Sequence, residues 1–288
     1  MKRRFFILFA ILAAAFSFLP GAARADDGSF RVMSFNILCA KWEGRCDLVI
    51  EEIKECTPLL FGVQEATAPQ MDDLCAAFGD YAYVGVGRDD GARGGEFSAV
   101  FYQKEKLELL DSGTFWLSET PKEAGSQGWD AACKRVVSWG KFKCRQSGKI
   151  FVYANTHFDH RGETARIESA KLVVRRAAEL SDNGAIPFFI SGDFNCNKAS
   201  EAYQILTQGT DGGAGLIDSF ETAKEKVAPV QRTYHGFGKI PAENDSAHID
   251  FIFVNDKVTV EKFVINPDLR DGKHPSDHNS IYAELKIR

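Results

Sequence analysis

One short stretch, residues 186–195 with the sequence IPFFISGDFN, constrains the fold of this chain more than any other. The apolar run from Phe188 to Ile190 predicts a strand that is buried on both faces. Asp193 and Asn195 follow at i and i+2, which in an extended backbone places both side chains on one side. Ligands of layered α/β proteins gather beyond the carboxyl ends of such strands. The pattern therefore favours a functional site, although a strand that runs into an ordinary Asp-Asn turn gives the same letters.

The first 25 residues differ in character from the rest of the chain. A basic start, MKRR, precedes an apolar run over residues 5–19, and Ala23-Arg24-Ala25 places small residues around a cleavage point. This order is typical of a secretory signal peptide, and the apolar run is short for a membrane span. We therefore predict a signal peptide over residues 1–25. Residues 26–288 are predicted to form a single periplasmic or secreted domain without a transmembrane segment; a retained N-terminal anchor is the alternative.

The charge balance bears on the class of substrate. The chain holds 35 Lys and Arg against 40 Asp and Glu, which gives a formal net charge of −5. Residues 1–25 contain four basic residues and no acidic one, so residues 26–288 carry a net charge of −9. Proteins that bind nucleic acid usually carry a basic surface. The sequence therefore disfavours a long duplex as substrate, and nucleic acid stays an alternative that a local basic groove would permit.

The seven cysteines all lie beyond residue 25 and show no zinc-type CxxC spacing. Their odd number leaves at least one thiol free even in an oxidising compartment. Cys56 and Cys75 close two successive predicted helices and are a pair that could meet. The sequence leaves the cysteine pairing otherwise open.

Hydrophobic periodicity predicts more strands than helices. We predict strands over residues 30–37, 59–63, 98–102, 107–116, 135–142, 150–156, 186–190, 248–254 and 281–287. We predict helices from Asp47, from Thr67 and Pro69, over residues 163–180 and over residues 203–206, and loops over residues 81–95, 118–132 and 208–215. Such a mixture predicts two packed β-sheets with helices on their outer sides, a four-layered α/β (α+β) sandwich in one domain.

Six of the predicted strands and loops end in, or contain, groups that chemistry can use: Asn36, Glu65, His157, Asp193 with Asn195, Asp250, and Asp277 with His278. Each has a structural explanation of its own, such as a turn former at Asn36 or a helix-start carboxylate at Glu65. Together they supply oxygen ligands and histidine without a thiolate cluster. That set suits a hard cation such as Mg²⁺ or Mn²⁺.

The motifs that carry these groups occur in an order that resembles the endonuclease/exonuclease/phosphatase (DNase I-like) family. They are MSFNI (33–37), QE (64–65), NTHFDH (155–160), SGDFN (191–195), HIDFIFV (248–254) and PSDH (275–278). That family includes DNase I-like nucleases, inositol polyphosphate phosphatases, sphingomyelinases and deadenylases. The segments at residues 113–121 and 128–135 are similar to its exported bacterial branch. The resemblance covers nearly all of residues 26–288 and implies a DNase I-like sandwich of mixed sheets.

The resemblance also implies roles for the metal and for the attacking water. Glu65 matches the main metal ligand, which Asn36 assists, and Asp277 falls where some members add a metal contact. Asp193 matches the residue that orients or deprotonates the attacking water. Asn195 matches the amide that holds the phosphoryl group.

Further residues are assigned to the phosphate and the substrate. By the same resemblance, His157 matches a histidine on the phosphate. His278 contacts phosphate or transfers a proton with Asp250 as its partner, an arrangement that would favour the charged imidazole. Arg135 is a further candidate for phosphate contact. Glu96 and Arg161 are candidate substrate contacts, and the alternative is that both are solvated loop charges.

These observations predict a divalent-metal-dependent phosphoesterase that works outside the cytoplasm as a monomer. We favour a small sugar- or lipid-linked phosphodiester or phosphomonoester as the substrate. One alternative is a nuclease that acts on DNA or RNA. The other is a non-catalytic phosphate- or protein-binding module on the same scaffold, since folds outlive their activities.

Overall fold

The computed structural model describes residues 28–267 and 269–288, so the predicted signal peptide over residues 1–25 lies outside the described residues. The strands are β1 (Ser29–Asn36), β2 (Leu60–Ala66), β3 (Tyr81–Val84), β4 (Phe97–Gln103), β5 (Leu107–Trp116), β6 (Val136–Cys144), β7 (Ile150–His157), β8 (Phe188–Asp193), β9 (Gly209–Thr210), β10 (Gly213–Ala214), β11 (Ile217–Asp218), β12 (Glu225–Val227), β13 (Asp250–Val254), β14 (Val258–Ile265) and β15 (Ile281–Ile287). The α-helices are α1 (Cys46–Cys56), α2 (Ala68–Ala77), α3 (Glu163–Leu180), α4 (Glu201–Gln208) and α5 (Ser219–Thr222), with 3₁₀ turns at Trp42–Gly44 and Asp245–Ala247. None of the described helices has the length and apolar character that a membrane span requires.

Two mixed sheets form the centre of the molecule. The first sheet has seven strands in the order β12-β14-β15-β1-β2-β4-β3, and the second has six in the order β11-β13-β8-β7-β6-β5. The pairs β1/β2, β7/β8 and β12/β14 are parallel, and the other neighbours in these two sheets are antiparallel. Strands β9 and β10 form a separate short hairpin. The predicted mixed sheets are therefore confirmed.

Three apolar clusters separate four layers. Helices α1 and α2 pack on the outer face of the first sheet through residues such as Ile53 and Leu74. Helix α3 and helix α4 pack on the outer face of the second sheet through residues such as Val173 and Leu206. The third cluster lies between the sheets. Because both sheets are covered on both faces, their central strands have few exposed side chains, and the predicted four-layered sandwich is confirmed.

The side chains between the two sheets change from apolar to polar along the strands. At one end it is filled by apolar side chains such as Val32, Leu60 and Phe189. Farther along the same strands, at the spacing of two that keeps side chains on one face, the inward residues become polar. These inward residues are Ser34 and Asn36 on β1, Gln64 on β2, Asn155 and His157 on β7, and Ser191 and Asp193 on β8. The alternation of side chains along these strands therefore carries the inner face toward polar groups at the strand ends.

A buried hydrogen-bond network joins the two sheets where this change occurs. Asn155 accepts a hydrogen bond from Gln64 Nε2 at 2.7 Å and donates to the carbonyl oxygens of Val63 and Ala99 at 2.9 and 3.0 Å. Its Oδ1 also accepts from Ser191 Oγ at 3.2 Å. The side chain of Asn155 is fully buried. Every one of its polar atoms is thereby satisfied, as a buried amide requires.

Gly62 makes room for this network. A Cβ atom at that position would lie 2.4 Å from Asn155 Oδ1, closer than any side chain can approach. The absence of a side chain on β2 lets the Asn155 amide fill the space between the sheets.

Several strand predictions differ from the structure. Residues 208–215 were predicted as loop, but Gly209–Thr210 and Gly213–Ala214 pair as the short β9/β10 hairpin, whose strands are too brief to show periodicity. Residues 81–95 were predicted as loop, but Tyr81–Val84 forms β3, a short edge strand paired with β4. A run of four residues carries too little periodicity to be recognised, and the pairing with β4 decides its conformation. Strand β14 was not predicted because a bulge between Val260 and Lys262 interrupts its alternation, so the apolar residues change parity part-way along it.

Helix α3 has the predicted bounds, Glu163–Leu180. Val173 and Ala177 of this helix are buried against the second sheet, whereas Ile167 and Ala178 are only half-buried. Helix α2 begins as predicted, with a reciprocal capping box between Thr67 and Gln70.

None of the seven cysteines, all of which lie in the described residues, forms a disulfide in the structure. The expected approach of Cys56 and Cys75 therefore produces no disulfide, and that expectation was wrong. Cys56 is buried at the end of α1, whereas Cys75 is exposed on α2.

The inter-sheet network generates a stability prediction. Replacing Asn155 with Leu leaves Gln64 Nε2 and two carbonyl oxygens without their partner, so we expect the free energy of unfolding to fall by about 3 kcal/mol or more. Urea unfolding followed by circular dichroism measures this change. Gln204→Leu, which exchanges an amide for Leu on the exposed side of α4, should change the stability by less than about 0.5 kcal/mol. Equal stability of the two variants would contradict a structural role for the network.

Candidate active site

Strand register in the second sheet brings three titratable side chains into one row. Asp193 at the end of β8 pairs with His157 of β7 on one side and with Asp250 of β13 on the other. All three side chains are buried. Neighbouring strands lie about 4.8 Å apart, so side chains at paired positions on the same face are direct neighbours.

Asn36 connects this row to the first sheet. Its Nδ2 donates to Asp193 Oδ2 and to Glu65 Oε1, both at 3.0 Å. The same nitrogen lies 3.5 Å from His278 Nε2. The amide of Asn36 thus stands between carboxylates from both sheets and holds them at a fixed separation.

The backbone is strained at two of these positions. Glu65 and Asn195 have φ angles of 62° and 47°, in the left-handed region that residues other than glycine rarely adopt. At Glu65 the strain accompanies a register shift between Val63 and Ala66 opposite β4. Such irregularities are common next to active sites, where they aim a side chain away from the regular sheet direction.

At Asn195 the strain corrects one prediction. Strand β8 ends at Asp193, so the extended backbone expected between Asp193 and Asn195 is absent. The chain turns instead, and the backbone N–H of Asn195 donates to Asp193 Oδ1 at 2.9 Å. The turn still places the Asn195 amide beside the row, where Nδ2 lies 3.0 Å from His157 Nε2 and donates to Phe158 O at 3.1 Å.

His278 and Asp250 form the expected pair. His278 Nδ1 lies 2.9 Å from Asp250 Oδ2, and Nε2 points to the far side, 3.7 Å from Asp193 Oδ2. Burial alone would lower the pKa of His278, but the charges of Asp250, Asp193 and Asp277 outweigh it and raise the pKa to about 10. The imidazole therefore carries a proton on both nitrogens at neutral pH.

The pKa values of Asp193 and His157, the other two residues of the row, shift in opposite directions. Burial, with the charge of Asp250, raises the pKa of Asp193 to about 7, against the opposing effect of His278. Burial and the nearby positive charges of Arg135 and Arg88 lower the pKa of His157 well below its ordinary value, so its imidazole is neutral. An aspartate whose pKa lies near neutrality is well matched to proton transfer from water.

A cationic side of the site lies beyond His157. Arg135 is buried, its Nη2 lies 3.1 Å from His160 Nδ1, and its Nε lies 3.6 Å from Asp159 Oδ2. Its Nε and Nη1 have no hydrogen-bond partner among the described residues. Arg88, with its ion pair to Glu96 at 2.7 Å, belongs to the same side.

The remaining sequence candidates lie at the margin. Glu96 is half-buried and engaged with Arg88, and burial raises its pKa. Arg161 is exposed, and its backbone N–H donates to Asp159 Oδ1. The structure therefore brings the predicted residues into one region, with Arg161 at its edge, while the role assigned to each of them stays a prediction.

A family comparison agrees with this geometry. Residues 33–278 match the model of the endonuclease/exonuclease/phosphatase family, which spans most of the chain. The chain belongs to the endonuclease/exonuclease/phosphatase family. Members of this family hydrolyse phosphoester bonds, and the predicted activity class is therefore confirmed.

Solved structures of the family confirm the DNase I-like fold. An endonuclease/exonuclease/phosphatase from Bacteroides vulgatus is 40% identical, with a TM-score of 0.84 over 90% of this chain and 99% of that one. A mannosyl-6-phosphatase from Bacteroides thetaiotaomicron is 34% identical, with a TM-score of 0.82 over 90% of this chain and 100% of that one.

A more distant relative is human Nocturnin. It is 22% identical over 294 aligned residues, which cover 92% of this chain and 63% of that protein. The chain thus spans less than two thirds of the length of this relative.

The donor set of the site fits the divalent metal that this family typically uses. Carboxylate oxygens predominate, and the ligand atoms of Asp193, Asp250 and His278 all lie within 4.8 Å of one another. Because a doubly protonated His278 offers no lone pair, we consider this group a poorer cation site than neighbouring Glu65 and Asp277. The roles of Glu65 and Asp277 as ligands stay predictions. Asn36 would have to turn its amide over to join them, because its Oδ1 accepts from the backbone N–H of Leu38.

A second group, Cys133, Asp159 and His160, also has its ligand atoms close together but does not suit a cation. Backbone N–H groups of Arg161, Gly162 and Cys133 already donate to the Asp159 carboxylate. Despite burial, such hydrogen bonds lower its pKa to about 2. The adjacent guanidinium of Arg135 would repel a cation, so this group is structural.

The sequence motifs give no indication of Arg45, whose guanidinium holds two loops of the site together. Its buried guanidinium donates to four backbone carbonyls, those of Ile37, Leu38, Ala40 and Pro275. The planar fork of arginine suits such a set of acceptors. Arg45 thereby ties the loop after Asn36 to the loop that carries Asp277 and His278.

Arg45 therefore gives a prediction about loop placement. In Arg45→Ala the four carbonyls lose their donor, and we expect kcat/KM to fall by about 10- to 100-fold because the site groups are misplaced. The Mg²⁺ concentration at half-maximal rate should rise as well, an effect that a general loss of stability would not produce. Arg45→Lys keeps the charge but lacks the planar guanidinium, so its kcat/KM should lie between those of wild type and Arg45→Ala. Arg93→Ala, an exposed arginine paired with Asp72, serves as the control and should behave as wild type.

An Arg45→Ala protein with wild-type rate and wild-type metal dependence would show that the two loops hold their positions without this guanidinium.

Proposed function

We propose that this protein is an exported phosphoesterase that uses Mg²⁺ or Mn²⁺ to hydrolyse a small, sugar-linked phosphomonoester. The observation that carries the proposal is the separation of charge across one buried site. Carboxylates from Glu65 and Asp277 lie on one side of Asn36 and Asp193, and the guanidinium of Arg135 lies beyond His157 on the other. A cation and a phosphate can each meet groups of opposite charge there.

The residues on the row supply complementary functions in hydrolysis. Asp193 accepts a proton from the attacking water, since its pKa of about 7 lets it act as a base near neutrality. Asn195 and neutral His157, which contact each other at 3.0 Å, are the groups that we assign to the non-bridging phosphate oxygens, and a bound phosphate would replace that mutual contact. Charged His278, held by Asp250, places a proton toward the reacting phosphate. A bound divalent cation supplies further neutralisation of the phosphate charge.

Several observations support a small monoester as the substrate. A terminal phosphate carries more negative charge than a diester, and Arg135 places a buried guanidinium beside His157, with Nε and Nη1 lacking a hydrogen-bond partner among the described residues. The net charge of −9 over residues 26–288 disfavours a long polyanion. The 34% identical structure from Bacteroides thetaiotaomicron is named as a mannosyl-6-phosphatase. Export is proposed from the leader at residues 1–25.

A substrate panel tests the proposal. With Mg²⁺ or Mn²⁺, the purified protein should release phosphate from mannose 6-phosphate faster than it cleaves bis-p-nitrophenyl phosphate, nucleotides or duplex DNA, and EDTA should abolish the reaction. Asp193→Asn should lower kcat by about 100-fold or more, because the water loses its base. Asp256→Asn replaces an exposed aspartate and should leave kcat unchanged.

Activity in EDTA, or full activity of Asp193→Asn, would exclude the proposed mechanism. Preference for DNA or RNA over every small ester would support the nuclease alternative. Phosphate binding without any turnover would support a non-catalytic module.

A further inference from the structure

An exposed aromatic side chain stands beside the proposed site on a strained segment. Phe237 has 37% of its surface exposed and a φ angle of 60°. Its neighbours Gly236 and Gly238 also have positive φ angles, 55° and 76°, so three successive residues are left-handed. Glycine adopts this conformation readily, whereas an L-residue rarely does, so Phe237 is the strained residue of the three. Such an outlier calls for a role that the regular fold does not require of it.

This segment is anchored to the site. The backbone N–H groups of His235 and Gly236 donate to the carbonyl oxygen of Asp277 at 2.9 and 3.1 Å. The Tyr234 ring lies 4.9 Å from the His278 ring, measured between centroids. The segment from Tyr234 to Phe237 therefore moves with the loop that carries Asp277 and His278.

Two further side chains fix the Phe237 ring. The edge of His274 meets it at a centroid separation of 5.9 Å, and His274 in turn stacks on His235 at 4.9 Å. From the loop after Asn36, Lys41 Nζ lies 5.9 Å from the centre of the Phe237 ring. One apolar ring thus stands at the edge of the site with a cationic donor beside it.

The position of this ring relative to the charged groups suggests what it contacts. Arg135 and His160 lie on the His157 side of the site, where the substrate phosphate is proposed to bind. Tyr234 and Phe237 lie on the His278 side. The body of the substrate, which leaves as an alcohol, is then free to extend along the His278 side. Binding sites for small ligands commonly combine apolar rings with a few placed polar groups in this way.

We propose that Phe237, with Tyr234 and Lys41 next to it, forms a subsite for the sugar ring of the substrate. The aromatic face packs against the C–H groups of the sugar, and the ammonium group of Lys41 donates a hydrogen bond to a sugar hydroxyl. Phe237 is then a specificity-determining residue that distinguishes ring-bearing esters from open-chain ones. This inference rests on the proposed function and adds the class of leaving group to it.

Two probes with different leaving groups test the subsite. Mannose 6-phosphate carries a sugar ring, and glycerol 3-phosphate carries none. In Phe237→Ala, the KM for mannose 6-phosphate should rise by about three- to tenfold, the loss expected for one aromatic contact. The KM for glycerol 3-phosphate should stay within about twofold of wild type, and kcat for both should be retained. Phe237→Trp should keep the wild-type preference.

The matched control is Ile150→Ala, which also shortens an exposed apolar side chain, at the end of β7 opposite to His157. It should change neither KM. Equal KM changes for both probes in Phe237→Ala, or no change for either, would overturn the subsite.

Calorimetry separates failure of the subsite from failure of the proposed function. Mannose 6-phosphate is titrated into Asp193→Asn and into Asp193→Asn combined with Phe237→Ala. Weaker binding by the double variant supports the subsite even if turnover of this ester is absent. Identical affinity, or no binding by either protein, refutes the subsite whatever the enzyme hydrolyses.

Discussion

The hydrogen-bonded contact between the two sheets, centred on Asn155, sets the geometry on which the site depends. Asn155 on the second sheet is bonded to Gln64 and to two carbonyls of the first, and Gly62 opposes it without a side chain. Directional bonds fix the relative position of the sheets more closely than apolar contacts can. His157 lies two residues beyond Asn155 on the same face of β7. Glu65 is the residue that follows Gln64 on β2. An error in the spacing of the sheets would therefore reach the site directly.

At the site itself, the fold keeps unfavourable arrangements in place. Asp193, Asp250 and His278 are buried, and Glu65 and Asn195 occupy left-handed backbone conformations. Each strained residue of this kind costs about 1 to 3 kcal/mol, which the surrounding layers must offset. As a result, the polar groups of the site already face one another before any ligand binds. Such preorganisation is the main means by which enzymes stabilise charge that develops in a reaction.

Much of this arrangement was predictable, because strands impose a simple parity. The strands predicted over residues 30–37 and 150–156 placed Asn36 and His157 at strand ends, and the ordered motifs indicated the family. Other features depend on contacts that leave no local pattern. Arg45 donates only to backbone carbonyls, which any sequence supplies. The bulge in β14 reverses parity part-way along the strand. Phe237 lies in a turn whose left-handed backbone only the neighbouring glycines suggest.

The central claim is that side chains from both sheets converge to hold one cation and one phosphate. A crystal structure of the protein with Mn²⁺ and inorganic phosphate tests it most directly, because anomalous scattering locates the manganese without reference to any proposed role. The account predicts an anomalous peak at about 2.1–2.4 Å from a carboxylate oxygen of Glu65, with phosphate oxygens within hydrogen-bonding distance of Asn195 and His278. A peak at Cys133, Asp159 and His160, or phosphate bound away from Asn195, would contradict it.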